Sequence, residues 1–130
     1  MPVLSTTEKE VLKSFVEYLN RIHPGEITKI ILYGSRARGD HLLDSDMDIL
    51  VLVKDKKIID RDKIYDFVLD SELEHGIDIS VNIYESEQFS KLVMLNTPFA
   101  TNVVKKGETL WTLYMVKTWL STDCNPQKNV

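Results

Sequence analysis

Hydrophobic residues near the start of this chain recur every three or four positions. Val11, Leu12, Phe15, Leu19 and Ile22 carry this spacing. It is typical of a helix with one apolar face, and it predicts an amphipathic helix over 7–21. Thr7 and Glu10 have the spacing of a capping box at the start of this helix, and Pro24-Gly25 is expected to end it.

The rest of the chain alternates between helical spacing and short apolar runs bounded by turn residues. In chain order it predicts strands over 27–33 and 47–53, a helix over 60–73, a strand over 77–83, helices over 86–95 and 99–106, and a short strand at 110–111. In the helix over 60–73, the side chains expected to face inward are Ile64, Phe67, Val68 and Leu69. Isoleucine or valine alternates with polar residues over 77–83, so that strand should have one polar face, which carries Asp78. Residues 121–130 are expected to fray.

The composition indicates one soluble globular domain over 1–130, with 43% hydrophobic and 28% charged residues. A net charge of −4 argues against a protein dedicated to binding nucleic acid, which would carry a basic face. A single cysteine, Cys124, excludes an internal disulfide and fits a reducing compartment. No apolar stretch has the roughly 20 residues that span a bilayer, and no signal peptide is visible. We therefore expect a cytoplasmic protein without a membrane partner.

Candidate chemistry lies between the first two predicted strands. Gly34-Ser35 ends the first strand, and Asp46 and Asp48 open the second. If the chain is extended there, these two carboxylates share one face, roughly 6–7 Å apart along the strand. Gly34 lets backbone N–H groups approach a phosphate closely, and Ser35 adds a hydroxyl. The arrangement predicts a site that holds a cation beside a phosphate.

Asp78 is the candidate third carboxylate, because its strand could pair with the strand that begins at Asp46. Two unit charges ~4 Å apart repel by about 4 kcal/mol at an effective dielectric constant near 20. Three converging carboxylates therefore imply bound Mg²⁺ or Mn²⁺, and two such ions could clamp the attacking and leaving oxygens of a phosphoryl transfer. Taken singly, each aspartate could equally be a cap, a loop residue or a solvent-facing strand residue.

Two arginines lie in the same loop. Arg36 and Arg38 could bind phosphate, because the guanidinium fork matches phosphate oxygens, or they could be surface residues or pair with carboxylates. Other phosphate motifs do not fit: Gly34 and Gly39 have the gap of a P-loop, but Asp40 stands where that motif requires lysine.

The sequence resembles a known family at these residues. Gly34-Ser35, followed after ten residues by Asp46-x-Asp48, resembles the signature of the nucleotidyltransferase superfamily that includes DNA polymerase beta. The longer string G-S-R-A-R-G-D-x-x-x-D-S-D-M-D-I-L-V is most similar to the minimal nucleotidyltransferases, the small antitoxin partners of HEPN-domain toxins. The resemblance covers about 27–111.

The resemblance implies an α/β (α+β) fold, with a mixed β-sheet flanked by helices. It implies that Asp46, Asp48 and Asp78 are metal ligands, and that Asp78 also accepts the proton of the attacking hydroxyl. Gly34 and Ser35 would hold the triphosphate. The further candidate nucleotide contacts are Arg36, Arg38 and Ser45.

The resemblance also implies an activity, which is transfer of AMP from ATP to a hydroxyl group of a HEPN-domain toxin. Mg²⁺ would be the cofactor, bound as two ions, with Mn²⁺ as a substitute. Two alternatives stay open: a non-catalytic antitoxin that blocks its partner sterically, and an aminoglycoside nucleotidyltransferase. With 130 residues, the acceptor would have to come from another chain. Apolar C-terminal residues could form the docking surface or complete the core: Trp111, Tyr114, Trp119 and Leu120.

Overall fold

Four strands form a mixed β-sheet in the computed structural model, which describes residues 4–34 and 46–113. The elements in chain order are α1 (Thr6–Ile22), β1 (Ile27–Tyr33), β2 (Met47–Val53), a 3₁₀ turn (Lys56–Ile58), α2 (Arg61–His75), β3 (Ile79–Glu85), α3 (Ser86–Met94), α4 (Pro98–Lys106) and β4 (Glu108–Thr112). The strand order across the sheet is β3-β2-β1-β4. The predicted fold class, a mixed sheet flanked by helices, is confirmed.

The pairing of the strands follows from their connections. β1 is antiparallel to both β2 and β4, whereas β2 and β3 are parallel. Parallel neighbours need a crossover connection, and α2 supplies it between β2 and β3. As a result, β2 and β3 begin at the same edge of the sheet, where β1 ends.

Both faces of the sheet are covered by helices in the described part of the chain. Alternate residues of β2 pack against α1 and α2 on one face, and the residues between them pack against α3 and α4 on the other. Because both faces are buried, β2 is apolar almost throughout rather than alternating. Trp111 is buried in the core on the α1–α2 face, so of the two roles left open for it the structure supports completion of the core.

The helix ends agree with the predicted limits to within one or two residues, but one cap differs. The capping box at the start of α1 is formed by Ser5 and Glu8 rather than by Thr7 and Glu10: the Glu8 N–H donates to the Ser5 hydroxyl, and the Ser5 N–H donates to the Glu8 carboxylate. Gly76 ends α2 in the left-handed conformation, which favours glycine at a helix C-terminus. Leu69 was predicted to face inward but is exposed.

None of the helices in the described residues combines the length and apolar character needed to span a bilayer. Tyr114, Trp119, Leu120 and the predicted frayed segment 121–130 lie outside the described residues.

Candidate active site

The end of β1 and the start of β2 lie side by side. Tyr33, the last residue of β1, pairs with Asp48 of β2 in antiparallel register. Gly34 follows Tyr33 directly and therefore lies beside the Asp48 side chain. The glycine that ends the first strand and the aspartate that opens the second are therefore in direct contact across the sheet.

Gly34 is the residue that makes this contact sterically allowed. Its φ is +77°, a left-handed conformation that favours glycine. A β-carbon at this position would lie 2.4 Å from Oδ2 of Asp48, which is far inside the sum of the atomic radii. The Asp48 carboxylate therefore rests against the bare backbone of Gly34, and no larger residue fits there.

Asp78 reaches the same edge of the sheet through the parallel pairing of β2 and β3. Met47 pairs with Ile79, and the Met47 N–H donates a 3.0 Å hydrogen bond to the Asp78 carbonyl oxygen. The residues immediately before this pair, Asp46 and Asp78, are consequently neighbours on adjacent strands. Side chains two positions apart on a strand share a face, so the sheet brings the three predicted aspartates to one corner.

The carboxylates at this corner influence one another. Burial raises the pKa of Asp48, and the negative charge of Asp46 raises the pKa further. Among the described residues, no lysine, arginine or histidine forms an ion pair with Asp46 or Asp48. The corner therefore holds more negative charge than its described protein neighbours offset.

Glu72 is a fourth carboxylate at this corner, and sequence reasoning missed it. The negative charge of Asp78 is the main reason that the pKa of Glu72 is raised, and the negative charge of Asp46 adds a smaller effect. Glu72 lies in the last turn of α2, where the helix dipole disfavours a negative charge. The signal available in the sequence was an acidic residue in the last turn of a predicted helix, six positions before the candidate metal ligand Asp78.

Tyr33 and Asn82 complete the polar surroundings. The Asn82 side-chain amide donates a 2.6 Å hydrogen bond to the Tyr33 hydroxyl. Burial is the main reason that the pKa of Tyr33 is raised; the charges of Asp48 and Tyr84 add to it, and the hydrogen bond from Asn82 opposes it. The Tyr33 hydroxyl is therefore close enough to Asp48 to sense its charge, and Asn82 fixes its position.

The aspartate side chains at this corner meet some of the requirements of a site for a hard divalent cation such as Mg²⁺. Within residues 4–34 and 46–113, no group of three or more His, Cys, Asp or Glu side chains is arranged to hold a metal ion. Mg²⁺, however, is usually bound by one or two carboxylates together with substrate phosphates and water. The Asp46–Asp48 pair, next to an open glycine turn and short of positive charge, matches that pattern.

The remaining predicted contacts of the nucleotide, Ser35, Arg36, Arg38 and Ser45, lie outside the described residues. They stay predictions.

The raised pKa of Asp48 leads to a prediction about stability. The folded state holds the Asp48 proton more tightly than the unfolded chain, whose ordinary value is 3.8, so ionised Asp48 destabilises the metal-free fold as pH rises above that value. We expect Asp48→Asn to raise the Tm at pH 7 without Mg²⁺ by about 2–4 °C. The corresponding gain in the free energy of unfolding is no more than about 1 kcal/mol, because the carboxylate is partly solvated. The gain should shrink as pH falls towards 3.8.

Thermal unfolding at pH 7 and at pH 4 would measure the effect. Asp66→Asn, on the exposed surface of α2, is the matched control and should change the Tm little at either pH. An equal gain at both pH values, or a loss at pH 7, would contradict this account of Asp48.

The sequence matches the family model described as "Nucleotidyltransferase domain" over residues 12–106. Two relatives from Methanocaldococcus jannaschii carry the name "Putative protein adenylyltransferase". One is 38% identical over 104 residues, which cover 80% of this chain and 98% of the relative. The other is 35% identical over 77 residues, which cover 58% of this chain and 78% of that relative.

Solved structures share the fold at low sequence identity. A chain in a crystal structure of the toxin-antitoxin MntA-HpeT in mutant form superposes with a TM-score of 0.52 at 19% identity, covering 83% of this chain and 80% of that one. A nucleotidyltransferase structure from Sulfolobus solfataricus gives 0.51 at 20% identity, covering 88% and 94%. A toxin-antitoxin structure with AMP-PNP gives 0.52 at 21% identity, covering 83% and 80%.

Proposed function

This chain belongs to the nucleotidyltransferase family, and on that premise we propose that it transfers AMP from ATP to a hydroxyl group of a second protein in a Mg²⁺-dependent reaction. The observation that carries the proposal is the corner of the sheet where Asp46 and Asp78 begin adjacent parallel strands and Asp48 lies against Gly34. Nucleotidyl transfer needs carboxylates and an open backbone turn in this arrangement.

Each residue of the corner has a distinct part in the proposed reaction. The acceptor hydroxyl oxygen forms a bond to the α-phosphorus of ATP, and the bond from that phosphorus to the α–β bridging oxygen breaks. Pyrophosphate leaves with the bonding electrons, and Asp78 takes the proton of the hydroxyl. Gly34, with Ser35, holds the triphosphate through backbone N–H groups.

Asp46 and Asp48 would hold the divalent cation, with Asp78 as a further ligand. Two Mg²⁺ ions, or Mn²⁺ in their place, would supply charge neutralisation of the phosphates when bound. The shortage of positive charge around Asp46 and Asp48 in the described residues supports this assignment.

The acceptor class follows from the relatives rather than from the corner itself. A relative that is matched over 98% of its length carries the name of a protein adenylyltransferase, and the fold recurs in toxin-antitoxin complexes. Together with the motif string, this supports a HEPN-domain toxin as the protein that receives AMP. We expect the two proteins to meet in the cytoplasm as a hetero-oligomer.

The test is to incubate the purified protein with labelled ATP, Mg²⁺ and a HEPN-domain protein from the same organism, beginning with the product of the adjacent gene, and to measure the mass of that candidate partner. We expect a gain of one or more AMP units, with loss of the partner's ribonuclease activity, and no gain when EDTA removes the metal. A partner that is inhibited in a tight complex but keeps its mass would support the steric antitoxin instead. Label that passes to an aminoglycoside without any partner would support the antibiotic-modifying alternative.

A further inference from the structure

A cavity of about 150 Å³ opens beside the corner that holds the aspartates. It is lined by Tyr33, Gly34, Phe99, Asn102, Val103 and Lys106. We propose that this cavity is the subsite for the adenine base of ATP, an assignment that rests on the proposed function. It would decide which nucleotide the protein uses.

The position of the cavity connects it to the reaction centre. Gly34 belongs to both: its backbone lies against the Asp48 carboxylate, and it also lines the cavity. Tyr33 likewise pairs with Asp48 across the sheet and forms a wall of the cavity. A nucleotide whose phosphates contact the Gly34 turn therefore has this cavity next to it.

The far wall of the cavity is one face of α4. Phe99, Asn102, Val103 and Lys106 are spaced i, i+3, i+4 and i+7, which places them along a single stripe of a helix. Pro98 at the first helical turn and Gly107 at the C-cap fix the two ends of this short helix. The stripe therefore presents an aromatic ring, an amide and an ammonium group in a defined order.

The rings that wall the cavity are held by other rings. Phe99 meets Tyr33 edge to face at 5.5 Å between centroids and stacks on Tyr84 at 5.7 Å. Phe99 also lies edge to face with Phe89 at 6.3 Å. Walls fixed in this way suit a planar base, since nucleic-acid bases stack on aromatic side chains.

The polar groups of the stripe are available to a ligand. Both Asn102 and Lys106 are exposed, and among the described residues neither side chain has a hydrogen-bond or ion-pair partner. An asparagine amide offers one donor and one acceptor, which matches N7 and the N6 amino group of adenine. Guanine presents two acceptors, N7 and O6, on the same edge, so Asn102 would favour ATP over GTP.

Lys106 has a different role in this proposal. It lies one turn beyond Asn102, and its ammonium group would attract the phosphate oxygens that enter the acidic corner. A flexible lysine acts as a point charge and carries no preference between bases. Asn102 therefore sets base specificity, and Lys106 contributes affinity for any nucleotide.

The adjacent lysines of α4 offer a matched pair of variants. Lys106 lines the cavity and Lys105 does not, although both are exposed and differ by one position. Lys106→Ala and Lys105→Ala thus remove the same charge from the same helix turn. Asn102→Ala replaces a weak helix former by a strong one, so loss of folding is not expected.

The experiment is equilibrium binding, by calorimetry with Mg²⁺, of ATP, GTP and inorganic tripolyphosphate to the native protein and the three variants. Asn102→Ala should weaken ATP binding about 5–15-fold, remove the preference for ATP over GTP, and leave tripolyphosphate binding unchanged. Lys106→Ala should weaken the binding of ATP and GTP alike, and Lys105→Ala should change neither.

Two results separate this inference from the proposed function. The base subsite is overturned if the native protein binds ATP and Asn102→Ala binds ATP equally well. It is also overturned if Asn102→Ala weakens the binding of tripolyphosphate as much as the binding of ATP. In both cases the proposed function stands. If the native protein binds neither ATP nor tripolyphosphate with Mg²⁺, the proposed function is overturned as well.

Discussion

Replacing Asp78 by asparagine should slow AMP transfer by roughly 10³-fold, within the 10²–10⁴-fold that a general base contributes. Asparagine keeps the size of the side chain but cannot take the proton of the acceptor hydroxyl. Asp78 is exposed, and the strand pairing beside it uses its carbonyl oxygen rather than its carboxylate. The Tm should therefore stay within about 2 °C of the native value. The measurement is the initial rate of label transfer from ATP to the partner at saturating ATP.

Asp70→Asn, an exposed aspartate of α2, is the matched control and should keep the native rate. If Asp78→Asn keeps a tenth of the rate or more, another group accepts the proton, and Glu72 is the first to examine because the negative charge of Asp78 raises the pKa of Glu72. The double variant Asp46→Asn with Asp48→Asn addresses the steric alternative. If it still neutralises the partner, catalysis is dispensable for that function.

Replacing Gly34 by alanine should reduce the rate by at least about 10²-fold, because misplacing a catalytic group by about 1 Å costs that much. The new β-carbon would overlap Oδ2 of Asp48 at 2.4 Å, so the carboxylate or the turn must move. The φ of +77° adds about 1–2 kcal/mol of backbone strain for any residue with a β-carbon. The rate of label transfer and the Tm should be measured on the same preparation.

Gly76 provides the control for that strain. Its φ of +67° is also left-handed, but a β-carbon there would meet no atom within 4 Å. Gly76→Ala should therefore lower the Tm by a few degrees through strain alone and leave the rate unchanged. If both variants lose activity equally, backbone strain rather than the contact with Asp48 explains the effect of Gly34→Ala.

The limits of the two central strands were predictable from sequence to the residue. β1 and β2 are short apolar runs that end at Gly34 and begin after Asp46, and their short length, bounding turn residues and β-branched residues favour strands over helices. β3 was placed two residues early, because Ile77 and Asp78 continue its alternation before its ladder begins.

The predictions that were wrong have a common cause. Several similar residues could fill the same role, and the local sequence does not show which of them does. Ser5, Thr6 and Thr7 can all cap a helix, and Ser5 does so because Glu8 reaches back to its N–H. Leu69 fits the apolar stripe of α2 but is exposed, while Ser71 is buried and bonds to the Phe67 carbonyl. Which of several similar residues is used depends on what packs against the helix.

The sequence by itself determined the elements, the fold class and the candidate chemistry of Gly34, Asp46 and Asp48, because those depend on period, turn residues and a short motif. Only the tertiary structure decided how distant residues meet. The parallel pairing of β2 with β3 brings Asp78 beside Asp46, α2 delivers Glu72 to the same corner, and α4 closes a cavity next to Gly34. These contacts join residues far apart in the chain. They depend on strand order and helix packing. Both are determined by the free energy of the whole fold, and a short stretch of sequence does not reveal them.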